Sequence, residues 1–325
     1  MNNNDIPASF TSFAEMLTQL PDDESCRKYL ELIRWNSKPT CPHCAVIDEN
    51  SYQLKVKGEF KGLYKCRSCR ERFMVTIGTM FEGSHIPLRK WFIALYIFSS
   101  HKKGISSHQL ANDLGITQKS AWFMLSRMRY VFGIYSGVQF EGVVQADETY
   151  IGGENKNRHA NKKVLDSQGR STKDKVPILG IMETSGKVKT QVILDTKART
   201  IKPIITDLVK SGSILVTDEW TAYKGLASEY AHIVVNHGRS EYVKDNFHTN
   251  SIENFWGLLK RGIYGIYHQV SPKHLHRYCD EFAYRFNSRK IDSNERFDFS
   301  LKNTENKRLM YKDLIKKNVS PEPLD

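Results

Sequence analysis

Two pairs of cysteines, Cys41-Pro-His-Cys44 and Cys66-Arg-Ser-Cys69, constrain the fold of this chain more than any other feature. Two residues between paired thiolates let both sulfurs of a tight turn reach one ion, and two such turns complete a tetrahedral zinc site. The intervening 21 residues include Tyr52 to Lys65, whose alternating and aromatic residues suit a short hairpin. This is the pattern of a zinc ribbon. Four thiolates leave no open coordination position, so the expected Zn²⁺ is structural. It folds a module too small to bury enough apolar surface alone. His43, between two ligands, reads as a bystander.

The opening residues, MNNNDIPASF, lack the positive start and long apolar core of a secretory signal. The best apolar run, Trp91 to Phe98, has eight residues and cannot span a bilayer. No membrane partner is expected, and the compartment reads as reducing and cytoplasmic.

The net charge of +12 is unevenly placed: residues 51–140 carry 14 Lys and Arg against four acids. A concentrated basic stretch attracts phosphate backbones. Within it, Leu88, Trp91, Phe92, Leu95 and Tyr96 recur at helical spacing. Ser106 to Gly115 then reads as a short helix ended by glycine, and Thr117 can cap a third helix over Gln118 to Tyr130. That is helix-turn-helix grammar. Ala121, Met124, Leu125 and Met128 are expected to face inward, leaving Lys119, Ser120, Arg127 and Arg129 to meet DNA.

Beyond residue 138 the elements change. Strands are expected at Phe140 to Asp147, Val176 to Glu183 and Val188 to Leu194, with a hairpin turn at Ser185-Gly186. There follow a helix at Arg199 to Lys210, a strand at Ser213 to Thr217, a helix at Trp220 to Tyr230, a strand around Ile233 to Val235, and helices at Asn250 to Ile263 and Pro272 to Asn287. The order β-β-β-α-β-α-β-α is that of an RNase H-like mixed sheet with covering helices. In that fold, active carboxylates come from the first strand, the end of the fourth, and the helix after the fifth. Asp147, Asp218 and Glu253 stand at those places, the last two with 34 residues between them.

Three gathered carboxylates repel one another unless cations neutralise them. Such oxygen ligands suit two Mg²⁺ or Mn²⁺ ions, which can clamp the attacking and leaving oxygens of a phosphoryl transfer. Glu148 and Glu219 are neighbouring rivals that strand alternation points the other way. Lys260 lies two turns along the helix from Glu253, so Lys260 and Arg261 can hold a DNA phosphate or simply complement the helix dipole. His248 is either a loop residue or one that approaches the site. The polar segment 152–175 is a loop that either embraces DNA or is merely solvated.

The residues Gln145-Ala-Asp-Glu-Thr-Tyr-Ile-Gly-Gly153 and Thr217-Asp-Glu-Trp-Thr-Ala-Tyr223, following a zinc ribbon, resemble bacterial insertion-sequence transposases of the DDE class with an ISXO-type catalytic domain. The stretch His248-Thr-Asn-Ser-Ile-Glu-Asn-Phe-Trp-Gly-Leu-Leu-Lys-Arg261 carries the resemblance most specifically, with Tyr267-His268 and Arg285-Phe-Asn-Ser-Arg289 after it. The resemblance runs from about residue 23 to 290. It implies a Mg²⁺-dependent enzyme that binds its element's terminal inverted repeats, frees a 3′-hydroxyl and transfers it to target DNA. Asp147, Asp218 and Glu253 would be the metal ligands; some relatives carry Asn at the last position. It also implies a dimer or larger assembly on double-stranded DNA, in a bacterial cytoplasm beside the nucleoid.

The sequence thus describes an α+β multidomain chain: N-terminal helices (1–35), zinc ribbon (36–82), helix-turn-helix (85–135), RNase H-like catalytic domain (138–290) and a charged tail without a readable motif (291–325). Two other readings share parts of this pattern. A structure-selective RNase H-like nuclease would use the same acids without a sequence-reading half. A non-catalytic DNA-binding regulator would use only the ribbon and helix-turn-helix.

Overall fold

Helix formation begins where the polar residues permit capping. Ser12 caps α1 (Phe13–Gln19), and Asp22 with Ser25 closes a reciprocal capping box on α2 (Asp23–Trp35). The computed structural model describes residues 10–36, 38–47, 51–133, 139–153, 159–165, 174–184, 186–236, 247–305 and 307–316. The chain divides into two units: residues 1–132 together with 290–325, and residues 133–289.

In the first unit, β1 (Tyr52–Val56), β2 (Glu59–Lys65) and β3 (Arg72–Phe73) form an antiparallel three-stranded sheet. Trp35 packs edge-on against Tyr64 and Phe73, which gives the ribbon its small apolar floor. Helices α3 (Leu88–Ser100), α4 (Ser107–Leu114) and α5 (Gln118–Phe132) follow. The Ser106 hydroxyl accepts from Gln109 N, Gly115 ends α4 in the left-handed region, and Thr117 Oγ1 accepts from Ser120 N. These are the caps expected of a helix-turn-helix.

The segment after residue 290, which the sequence leaves as an unreadable tail, is built into this unit. It forms α9 (Ser293–Lys302) and α10 (Tyr311–Ile315). Phe297 and Leu301 are fully buried, with the Phe297 ring 5.6 Å from Phe92 and 6.2 Å from Phe10. Tyr29 donates to Asp298 Oδ1 (2.5 Å) and Tyr96 to Asn294 Oδ1 (3.0 Å). Only three apolar residues interrupt a polar run in α9, so periodicity alone does not reveal it.

The second unit is a five-stranded mixed sheet: β4 (Val143–Ile151), β5 (Val176–Glu183), β6 (Val188–Val192), β7 (Ile214–Thr217) and β8 (Ala231–Val234), in the order β6-β5-β4-β7-β8. The first three strands are antiparallel, while β7 and β8 continue parallel to β4. This is the RNase H-like arrangement. Helix α6 (Ala198–Leu208) contributes Ile201, Ile205 and Leu208 to the core on one face. On the other, α7 (Asn250–Gly262) and α8 (Pro272–Asn287) contribute Ile252, Phe255, Trp256, Leu259, Leu275 and Phe282.

Two expectations are corrected. β4 runs four residues past Asp147, because its pairing with β5 continues to Ile151↔Val176. The helix expected over Trp220 to Tyr230 is two short 3₁₀ turns, Thr221–Tyr223 and Leu226–Ser228, split by Gly225 at φ 88°. A left-handed residue cannot continue a right-handed helix.

Candidate active site

Sheet register explains how distant acids meet. β4 and β7 pair in parallel up to Gln145↔Val216. Continuing that register by two residues brings Asp147 opposite Asp218, just where β7 ends and the sheet opens. Alternation along β4 sends Val144 and Ala146 into the core beneath α6, and Gln145 and Asp147 toward α7. Gln145 is buried, and its Oε1 accepts from Ile252 N (3.1 Å), one of the amides that the first turn of α7 leaves unpaired. Glu253 follows directly, at the opening of the helix.

Asp147, Asp218 and Glu253 line one cleft of about 480 Å³, together with Glu148, Thr149, Glu219, Trp256, Gly257 and Lys260. Each acid is held by a local contact. Trp256 Nε1 donates to Asp147 Oδ2 (2.9 Å), Trp220 N to Asp218 Oδ1 (3.0 Å), and Thr249 Oγ1 to Glu253 Oε1 (2.9 Å). Burial, and then the charge of Asp218, lift the Asp147 carboxyl to about 6. Glu253 adds to the rise, and the Trp256 hydrogen bond opposes it. Glu148, on the opposite face of β4, accepts from the Tyr223 hydroxyl (2.6 Å) although it too reaches the cleft.

The donor chemistry fits hard divalent cations: oxygen ligands only, one of them strained by its like-charged neighbours. Among the described residues, only the four cysteines bring a candidate ligand set of three or more atoms within 4.8 Å of one another. The acids of the cleft are spaced more widely than that.

Lys260 stands at the same cleft. Burial lowers its pKa and the nearby Lys175 adds to this, while Asp147 raises it. Arg261 is exposed and does not line the cleft. Nor does His248; its Nδ1 is buried and has no hydrogen-bond partner among the described residues. Of the 152–175 loop, residues 154–158 and 166–173 lie outside the described residues. Its entry is tied down by the Tyr264 hydroxyl donating to Gly152 O (3.1 Å).

In the ribbon, Cys41 and Cys69 Sγ lie 3.6 Å apart and Cys44 and Cys66 Sγ 3.7 Å. The edge of a Zn–thiolate tetrahedron is about 3.8 Å. Each turn closes in the same way: Cys41 N donates to Val46 O and Cys66 N to Glu71 O, with Ala45 and Arg70 in the left-handed region. Backbone amides of Cys69 and Ser68 pull the Cys66 thiol down to about 7. The four cysteines form a structural zinc site. His43 is not a ligand; its Nε2 meets Arg72 O at 3.3 Å.

Two of the four residues expected to face DNA do not. Arg127 is buried and donates to Leu309 O (3.0 Å), Met80 O (2.8 Å) and Glu82 O (3.0 Å). Arg129 is 1% exposed. For Arg127 the cause is the C-terminal segment. Lys119 Nζ lies 5.0 Å from the Tyr311 ring, the Phe123 ring packs 5.4 Å from it, Arg127 reaches Leu309, and Lys307 Nζ donates to Val131 O. Residues 119, 123, 127 and 131 form one face of α5, and 307–311 cover it. Lys119 remains exposed, and Ser120 is half-buried in its cap.

Residues 139–287 match the ISXO2-like transposase domain and residues 21–72 the transposase zinc-ribbon domain. A transposase-like protein of Haemophilus influenzae is 33% identical over 108 residues, 33% of this chain and 86% of its own length. The chain belongs to the ISXO2-like transposases. A protein of the transposable element ISH50 from Halobacterium salinarum is 28% identical over 270 residues, covering 79% of this chain and 88% of that one. A chain in the crystal structure of the Mos1 strand transfer complex is 12% identical, with a TM-score of 0.20 over 63% of this chain and 78% of that one. No helix of the described residues is long and apolar enough to cross a membrane.

Sequence patterning alone does not single out two residues that tie β4 to α7 beside the cleft, Gln145 and Trp256. One signal was available. A tryptophan one turn after Glu253, on the buried stripe of its helix, needs an acceptor for its indole N–H, and the nearest polar ground is the carboxylate cluster.

Proposed function

We propose that the chain is a DNA transposase in which Asp147, Asp218 and Glu253 hold two Mg²⁺ or Mn²⁺ ions. The observation that carries this reading is the convergence of three sequence-distant acids and Lys260 on one cleft. When bound, such ions polarise the scissile phosphate and favour ionisation of the attacking hydroxyl. The protein's part is geometric: β4, the end of β7 and the first turn of α7 fix the three carboxylates, and Lys260 holds an adjoining phosphate. Arg261 extends that basic edge. Water attacks phosphorus at the element end, the P–O3′ bond breaks, and a 3′-hydroxyl is released. That hydroxyl then attacks a target phosphodiester; the new P–O bond forms as a target 3′-oxygen leaves. No covalent bond to protein is required.

The ribbon and the first turn of α5, with Lys119 and Ser120, bind the terminal inverted repeats. Two DNA ends call for a homodimer or larger assembly, working on the chromosome in the cytoplasm. Labelled element-end duplex incubated with Mg²⁺ should yield joined products, and Asp147→Asn should abolish them while DNA binding persists. Cleavage without joining would instead support a structure-selective nuclease. Binding without either would support a regulator.

A further inference from the structure

Two hydrogen bonds tie β4 to α7 beside the apolar core. The first, Gln145 Oε1 to Ile252 N, sets the height of the helix. The second runs from the Trp256 indole N–H to Asp147 Oδ2. Trp256 is 5% exposed, and its ring fills space above the residue that faces Asp147 across the sheet, Gly180. A Cβ at Gly180 would stand 2.5 Å from Trp256 Cη2 and Cζ2 and 3.0 Å from Ile252 Cδ1. Glycine inside a central strand weakens it and marks a place where something must approach closely. Here that something is the indole. A buried indole N–H needs an acceptor, and this one uses an acid of the cleft.

We infer that Trp256 is a positioning residue: its indole N–H clamps Oδ2 of Asp147, fixing the carboxylate plane and leaving Oδ1 to a divalent cation. This rests on Asp147 being a metal ligand, as proposed above. A ligand carboxylate that can rotate binds its ion less well; loss of such an outer partner typically costs 10–100-fold in affinity. Gly180 belongs to the same device, since it admits the ring that makes the bond.

The test uses the full-length, zinc-loaded protein without DNA, with Mn²⁺ as probe and free Mn²⁺ read by electron paramagnetic resonance. Trp256→Phe keeps an aromatic ring and removes the donor. Gly180→Ala keeps the donor and displaces it. Both should bind Mn²⁺ about 10–100-fold more weakly. Their single-turnover DNA cleavage should recover toward the wild-type maximum as Mn²⁺ is raised. Mn²⁺ affinity within twofold of wild type in folded variants would overturn the inference. So would a cleavage defect that added metal does not relieve, or failure of both variants to fold, since each would make Trp256 a core residue only. Asp147→Asn, measured alongside, separates the two levels: if it binds Mn²⁺ normally, the metal-ligand reading itself fails.

Discussion

Arg127→Met separates a structural from a DNA-contacting role for the helix-turn-helix. Methionine keeps most of the stem volume and removes the guanidinium. The buried carbonyls of Leu309 and Met80 and the half-buried one of Glu82 then lose a charged donor, and the ring contact 4.6 Å away at Phe123 is lost as well. Each such bond is worth about 1.5–3 kcal/mol, but removing a buried charge returns part of that. The net loss should be on the order of 3 kcal/mol. For a unit of this size that corresponds to a fall of roughly 6–12 °C in the unfolding midpoint. Zinc release on heating, followed with a chromogenic chelator, reports the unit that carries the ribbon. DNA affinity measured against salt supplies the opposite arm. A phosphate contact would contribute about 0.9 to the slope of log K against log salt, so the slope should be unchanged in the variant. A midpoint within about 2 °C of wild type, combined with a slope reduced by about one, would refute this account of Arg127.

Other consequences are open to measurement. Atomic absorption should find one Zn²⁺ per chain, and Cys69→Ser should lose most of it along with the thermal transition of the ribbon-bearing unit. Gln145→Leu leaves the Ile252 amide buried and unpaired, which should cost about 1–3 kcal/mol and speed hydrogen exchange at the start of α7. Burial lifts Asp298 to about 6, against the opposing effects of Tyr29 and Lys302. A raised carboxyl favours the fold only while protonated, so stability should be fully retained below about pH 4 and decline as pH climbs through 6. Asp298→Asn still accepts from Tyr29, and in denaturant melts it should be about 1–2 kcal/mol more stable than wild type at pH 8, with no gain at pH 4.

Much of this was legible in the residues because the physics is local. CxxC spacing dictates a tetrahedral thiolate site, and Ser106, Gly115 and Thr117 mark helix ends whatever surrounds them. The order of strands and helices in the second unit also survives, apart from the 3₁₀ turns between β7 and β8, since alternation and helical spacing are strong there. What escaped depends on long-range packing. Arg127 looks solvent-facing on a helical wheel, but residues 307–311 cover its face, and a contact some 180 residues away in sequence leaves no periodic trace. α9 is hidden for the same reason: its anchors, Phe297 and Asp298, acquire meaning only beside Phe92 and Tyr29. That Asp147, Asp218 and Glu253 line one cleft follows from fold order. Their supports, Gly180 and Trp256, require knowing which residues face one another across β4 and β5.

Mn²⁺ anomalous scattering from crystals of the protein with an element-end duplex addresses the metal assignment directly. Two peaks about 4 Å apart, at least one within bonding distance of Asp147 and the pair held between it, Asp218 and Glu253, are predicted. Peaks coordinated instead by Glu148 and Glu219, or no peak within bonding distance of Asp147, would contradict it.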